Sequence, residues 1–413
     1  MKSQMQWVNA LSTKPSLEAA ISEVAEQITA ALTGSSPADV GILFISSAYA
    51  SDYPRLLPLL LEQIPFKTLI GCGGGGIVGT KSNGQILEIE ETAAISLSVG
   101  CLPDVRIHSF HVLDSDLPDL DDPPSAWIEL LGVSPEEKPH FILLSEPFTT
   151  GISNLLEGLD FVYPESVKVG GLSSSGVANC LFYYVSGSRP TIYQEGTIGL
   201  VLSGEIILEA VVAQGCRPIG DPYMITKGER NIILELSDQE FGSQSLPPLD
   251  ALRNLLESLD DQDRQLAQSS LFVGLARDEF QMQLKHGDFL IRNLLGVDPR
   301  AGAMAIGDKV RSGQRMQFHL RDSQTSAQDL EYLLQLYRDT HTSQKPALGA
   351  LMFSCLGRGQ GLYEQANFDS SLFSKYFPNI KLGGFFGNGE IGPVAKRTFL
   401  HGYTSVFAIV RER

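Results

Sequence analysis

The residues best suited to chemistry cluster in the last third of the chain. Arg358 and Cys355 lie in SCLGRG, directly after the apolar run Leu348–Ser354. Glu390 and Asn388 lie in the small-residue loop LGGFFGNGEIGP, and His401 follows in FLHGYT. A guanidinium at a strand end can fork onto a carboxylate, and Glu390 is the nearest acid in the same segment. Two readings stand side by side. Arg358 and Glu390 brace two loops as an ion pair, or they divide an amino-acid ligand between them, Arg358 taking its carboxylate and Glu390 its ammonium. Cys355 with His401 is the minimum for nucleophilic catalysis. No third, orienting residue marks such a pair, and a buried thiol beside a hydrogen-bonded imidazole accounts for both residues without catalysis. Arg292 in RNLLG and Arg321–Asp322 in FHLRD border apolar strands, where an arginine lines a cleft or braces a sheet edge.

Metal chemistry has less support. His108 and His111 are three apart in a strand-like stretch, which puts them on opposite faces. The aspartates between Asp114 and Asp122 lack EF-hand spacing and read as a solvated linker. No metal and no cofactor is expected.

One pattern recurs three times: an apolar strand entering a run of small residues. The copies are KTLIGCGGGGIVG (Lys67–Gly79), VKVGGLSSSGVAN (Val167–Asn179) and IKLGGFFGNGEIGP (Ile380–Pro393). Such loops can bring bare backbone to a ligand, so Gly73, Gly74, Gly75, Gly383, Gly384 and Asn388 are candidate contacts. None is a nucleotide loop. Lys81–Ser82 lacks the glycine spacing of a P-loop, and the first run opens onto a turn instead of a helix.

These residues need positioning elements. Upstream of each loop lies a continuous apolar run (Val40–Ser46, Phe141–Ser145, Leu348–Ser354) and then a short helix (Tyr53–Gln63, Ser153–Leu159, Ser370–Tyr376). Apolar runs of that length suit strands buried on both faces. Gly71 and Gly170 are 99 residues apart and Gly170 and Gly383 are 213 apart, which suggests a degenerate fourth unit around the strand Ser270–Ala276. The fold class expected is α/β, or layered α+β, with duplicated strand-helix-strand units forming mixed sheets in two domains. The expected division is an N-terminal helix over 1–36, a first domain over 37–236, a linker over 237–248 and a second domain over 249–413.

A formal charge of −17 and the lack of any long basic run argue against nucleic acid and anionic membranes as partners. Five widely spaced cysteines without a CxxC pair read as free thiols in a reducing compartment. With no signal-peptide pattern and no membrane-length apolar run, the expected location is cytoplasmic.

Together, GDFLIRNLLGVDP (Gly287–Pro299), GDKVRSGQRMQFHLRD (Gly307–Asp322), LMFSCLGRGQGLY (Leu351–Tyr363) and LGGFFGNGEIGP (Leu382–Pro393) resemble the FIST C domain, named for F-box and intracellular signal transduction proteins. GCGGGGIVG with QGCRPIG (Gln214–Gly220) resembles the FIST N domain. The resemblance runs from about Val40 onward. It implies a sensory protein in signal transduction that binds a small ligand such as an amino acid or carboxylated metabolite and passes the signal to a partner protein. It supplies no catalytic residues. Too few residues precede the first strand for a fused kinase or F-box, so the chain reads as a stand-alone FIST N plus FIST C protein. The alternatives are an interaction scaffold without a small ligand, and a hydrolase or transferase using Cys355 and His401.

Overall fold

The computed structural model describes residues 4–33, 37–176, 179–238, 245–277, 284, 288–341, 344–394 and 396–413. The chain forms two compact units: Met1–Ala213 with Glu331–Arg413, and Gln214–Leu330.

The first unit repeats one motif three times. In the first copy, strand β1 (Gln6–Ser12) leads into helix α1 (Leu17–Ala31), then β2 (Ala38–Ser46), α2 (Tyr53–Gln63) and β3 (Phe66–Gly74). A hairpin follows, β4 (Gly76–Thr80) and β5 (Ile86–Ile89), and the copy closes on β6 (Ile95–Cys101). The second copy runs β7 (Val105–Val112), α3 (Pro124–Leu131), β8 (His140–Ser145), α4 (Ile152–Val162), β9 (Lys168–Leu172), the hairpin β10 (Leu181–Val185) and β11 (Thr191–Tyr193), and β12 (Thr197–Gly204). The third starts with β13 (Ile206–Ala213) and is then interrupted by the second unit.

That second unit contains β14 (Cys216–Glu229), β15 (Ile232–Asp238), α5 (Pro248–Ser258), α6 (Asp261–Ser270), β16 (Leu271–Ala276), β17 (Phe289–Asp298), β18 (Ala303–Ile306) and β19 (Arg315–Arg321). Its strands close into a barrel in the order β14-β15-β18-β17-β16-β19. Helix α7 (Ser323–Thr340) carries the chain back into the third copy: β20 (Ala347–Cys355), α8 (Gln360–Tyr363), α9 (Phe368–Tyr376), β21 (Leu382–Gly387), the hairpin β22 (Glu390–Val394) and β23 (Arg397–His401), and β24 (Ser405–Glu412).

The class is therefore mixed α/β, as expected. Each copy has one parallel pair joined through helix, β2 with β3, β8 with β9 and β20 with β21, in a sheet that is otherwise antiparallel. Two corrections follow. The degenerate fourth copy does not exist: β16 is antiparallel to both neighbours, β17 and β19, and belongs to the barrel. The doubled spacing between glycine runs is the length of an inserted unit. The N-terminal segment is also more than a helix, because β1 pairs antiparallel with β6. Its alternation is hidden by Asn9, whose side chain donates to Ser96 Oγ (3.1 Å) and Ser98 Oγ (2.9 Å) and accepts from Thr80 N (2.7 Å). The polar stretch 237–248 lies inside the barrel unit, and Leu236 and Leu246 pair across it. Residues 239–244 lie outside the described residues.

The hairpins do not stay with their own copies. The sheet orders are β1-β6-β2-β3-β10-β11, β7-β12-β8-β9-β22-β23 and β13-β24-β20-β21-β4-β5. The first copy's hairpin completes the third sheet, the second copy's completes the first, and the third copy's completes the second. The inner faces of the three sheets share one apolar core that includes Val40, Ile42, Phe44, Ile142, Leu144, Leu351 and Phe353. The alternate residues face outward, Leu43 and Ile45 onto α1 and α2, and Phe141 and Leu143 onto α3 and α4. Burial on both faces is what turns these strands into continuous apolar runs. Ser16 starts α1 by accepting from Ala19 N (3.3 Å), and Leu17, Ile21, Val24 and Ile28 form its buried stripe.

Candidate functional site

The three small-residue segments converge and close on one another. The N–H of Gly75 donates to Phe386 O (3.3 Å), that of Ser174 to Gly73 O (3.1 Å) and that of Asn388 to Leu172 O (3.1 Å). Each copy thus donates to another in a cycle of three. Side chains tighten the junction: Ser174 Oγ accepts from Gly75 N (2.8 Å) and donates to Phe386 O, and Asn388 Nδ2 donates to Ser173 O (3.0 Å).

The small residues are what this closeness demands. Gly73 and Gly74 are the last residues of β3, and Gly383 and Gly384 lie inside β21; all four are buried. A Cβ on Gly73 would stand 2.3 Å from Ser175 Oγ, and one on Gly384 would stand 2.0 Å from Met352 O. Gly71 and Gly170 occupy the same register position as Gly384, each opposite a carbonyl of the parallel neighbour. The N–H groups of Gly75, Ser174 and Asn388 are committed to the cycle, so no backbone anion cradle forms from them.

Beside this ring, at the boundary of the first and third copies, lies a cleft of about 410 Å³. Gly75 and Gly76 line it with Leu356, Phe386, Gln360, Gly361, Glu90 and Glu91. Glu90 accepts from Gln360 N (2.9 Å), which ties the strand end after β5 to α8. Burial raises the Glu90 carboxyl above its ordinary range, with further help from Glu91 and Asp369.

Behind the cleft is a buried polar cluster. Arg358 has a fully buried side chain, but the carboxylate on its fork is Asp369, not Glu390. Nε donates to Asp369 Oδ2 at 2.7 Å and Nη2 to Oδ1 at 3.1 Å. Nη2 also donates to Tyr363 Oη (2.5 Å), and Nη1 reaches Tyr403 O (3.5 Å). Glu390 accepts from Thr404 N (3.0 Å). Sequence reasoning missed Asp369. Its signal was an acid on the buried stripe of α9, four residues before the core residue Phe373.

Glu88 of β5 completes the cluster. It accepts from Ser370 N (2.6 Å), and its own N–H donates to Asn367 Oδ1 (2.6 Å). Its Oε2 is buried without a hydrogen-bond partner among the described residues. Burial, followed by the nearby charge of Asp369, pushes its carboxyl up to about 8. Burial thus favours the neutral form of Glu88, and Asp369 is the acid that sits on the Arg358 fork.

Cys355 and His401 lie on either side of the same turn. Cys355 N donates to Thr404 O (3.0 Å), and Cys355 Sγ accepts from Gly357 N (3.4 Å). His401 Nε2 meets Gly392 O (3.0 Å), and His401 pairs across the hairpin with Glu390. Arg292 belongs to the barrel unit, where Nε donates to Asp308 Oδ2 (2.6 Å). The structure thus brings Cys355, Arg358, Glu390 and His401 together around residues 401–404, with Gly75 on the adjoining cleft.

The repeats supply an internal comparison. Glu390 faces His401 on the swapped hairpin, at the position opposite the residue after the shared glycine. The same position holds Leu181 facing Tyr193 in one copy and Ile77 facing Ile89 in the other. The scaffold accepts an uncharged pair there, Leu181–Tyr193 or Ile77–Ile89, so the acid and imidazole of the third copy are not architectural.

The FIST N domain model matches residues 39–239 and the FIST C domain model residues 248–393. The chain belongs to the FIST family. FIST domains are sensor domains of signal transduction. An uncharacterized protein of Mycobacterium tuberculosis is 32% identical over 404 residues, covering 97% of this FIST chain and 98% of that protein. F-box only protein 22 of Homo sapiens is 30% identical over 137 residues, 29% of this chain and 33% of that protein. A solved cyanuric acid hydrolase from A. caulinodans aligns over 99% of this chain and 100% of its own at 8% identity, with a TM-score of 0.34. The boundary between the two family models falls inside the inserted barrel unit. Among the described residues, no helix of this FIST protein is long and apolar enough to cross a membrane.

Proposed function

We propose that this FIST protein is a ligand-binding sensor whose ligand is an amino acid or a similar small metabolite carrying an ammonium group, held in the cleft beside the ring. One observation carries the reading: among the described residues the charged groups lining the cleft are Glu90 and Glu91, while Arg358, which follows the same strand β20, is held bidentately by Asp369. The ligand's ammonium sits on the two glutamates, and Gln360 and the backbone of Gly75 and Gly76 fix its orientation. Arg358 then acts by holding Asp369 and α9 in place. For Arg358 to take a ligand's carboxylate, Asp369 would have to release the fork, leaving its own charge buried. Gly73, Gly384 and Asn388 serve the ring that forms one wall of the site, while Gly383 makes room for Asn9 and Ser98 of the first sheet. The sensed state would reach a partner protein through the swapped hairpin β4–β5, which joins two copies at the cleft.

A thermal-shift screen tests this with three sets of compounds: amino acids, the matching acids without the amino group, and the matching amines without the carboxyl group. Amines and amino acids are expected to raise the melting temperature by mass action, and the deaminated acids are not. A shift confined to the deaminated acids would overturn the reading. No shift with any set would favour the adaptor without a small ligand.

A further inference from the structure

The boundary between the first and second copies holds a larger cavity of about 680 Å³, within the size range of small-molecule sites. It is built as the cleft is built. In both places the exit of a parallel strand meets the residues that follow a swapped hairpin. Here these are Ala50 and Tyr53 after β2, and Tyr193 and Glu195 at the end of β11. In the cleft they are Leu356 and Gln360 after β20, and Glu90 and Glu91 after β5.

The chemistry of the two differs. The larger cavity is lined by aromatic rings. His111 and Tyr193 stack with centroids 3.6 Å apart and planes 6° from parallel. His111 and the neighbouring Tyr53 have their polar ends engaged. His111 Nε2 meets Glu195 O at 2.9 Å, and Tyr53 Oη donates to Ser46 O at 3.1 Å. His111 and Tyr53 are therefore held in place, and the wall offers π-surface. Among the described residues, Glu195 is the one carboxylate lining the cavity, and no lysine or arginine lines it. A flat ring would pack against the aromatic wall, and a cationic group on it would meet both the carboxylate and the ring faces.

We infer that this FIST protein carries a second small-molecule site here and that it takes a planar aromatic amine. The site is independent of the cleft and does not rest on the proposal made for it.

Calorimetric titration with tryptamine tests the assignment, using indole-3-acetate and cadaverine as the ring without the cation and the cation without the ring. In the Glu90→Gln protein, where the cleft has lost part of its charge for amines, saturable tryptamine binding tighter than about 1 mM is expected, with both comparison compounds weaker by about tenfold or more. Ala50→Trp, which fills the cavity, and Tyr193→Ala, which removes half of the stack, should each weaken tryptamine by about tenfold or more. Glu90→Gln, which weakens any amine held in the cleft, should retain the tryptamine binding that belongs to this cavity. If Tyr193→Ala does not fold, Ala50→Trp decides. Absence of saturation overturns the assignment. So does binding that survives Ala50→Trp but is lost in Glu90→Gln, because the ligand would then be in the other cleft.

Discussion

The first and third repeats build the same strand-helix-strand unit and fill one shared position oppositely. In the first, the swapped hairpin presents Ile77 facing Ile89; in the third, it presents Glu390 facing His401, both buried. Yet Gly71 and Gly384, equally shared, are the same residue in both, each opposite a carbonyl that a side chain would strike. The contrast separates two kinds of residue that a sequence motif runs together. A residue kept in every copy answers to the geometry of the converging strands. A buried acid present in one copy, where the other copies place Leu181 and Ile77, costs desolvation that the scaffold does not require. The acid, the imidazole and the Arg358 cluster beside them set the third repeat apart from the other two.

Substitutions can break that contrast. The largest effect is expected at the shared glycines. Gly170 has φ +151° and its Cβ would lie 1.8 Å from Leu143 O, so Gly170→Ala should cost more than about 4 kcal/mol or prevent folding, as measured by urea unfolding. A cost below about 1 kcal/mol would show that the strands can part and that the ring is not architectural.

Next is the buried ion pair. Asp369→Ala strands the Arg358 charge and should cost about 3–5 kcal/mol, whereas Arg358→Met with Asp369→Leu should recover most of the loss. Failure of the double variant to recover would mean that the pair holds the fold by more than its charge. The hairpin exchange is expected to be milder. Glu390→Ile with His401→Ile copies the first repeat and should cost less than about 2 kcal/mol in the same assay. A loss as large as that of Gly170→Ala would make the polar pair structural.

Proton linkage gives a smaller, graded effect. Glu88 titrates near 8 in the folded protein, above its ordinary 4.5. Between those values the unfolded chain has released the proton and the folded protein still binds it. Stability attributable to this group is therefore full below pH 4.5 and declines as pH rises toward 8. Glu88→Gln removes the titration, so its stability relative to the parent should increase from pH 5 to pH 8 in paired urea unfolding curves. A difference independent of pH would contradict the assignment.

Much of this architecture was legible in the sequence, for physical reasons. The strands β2, β8 and β20 were visible because each is buried on both faces and so reads as an unbroken apolar run. The three glycine runs were visible because steric closeness admits few residue types. The exchange of hairpins among copies was not, since a strand's own residues do not say which sheet it completes. The barrel was mistaken for a fourth copy because its length happens to match one repeat. In the site, Arg358 was visible as a charge after an apolar strand. Its partner was not, because Asp369 opens a helix, where an acid is an ordinary first-turn residue. Glu88 was hidden in the alternation of ILEIE, where its burial comes from α9, distant in sequence.

The most direct test of the account is calorimetric titration of an amino acid that shifts the melting temperature, against the parent protein and against Glu90→Gln and Arg358→Met with Asp369→Leu. The account predicts one site that weakens about tenfold or more in Glu90→Gln and is retained in the double variant, which keeps α9 in place without a free guanidinium. Binding unchanged in Glu90→Gln and abolished in the double variant would contradict it, because the ligand would then be held by Arg358.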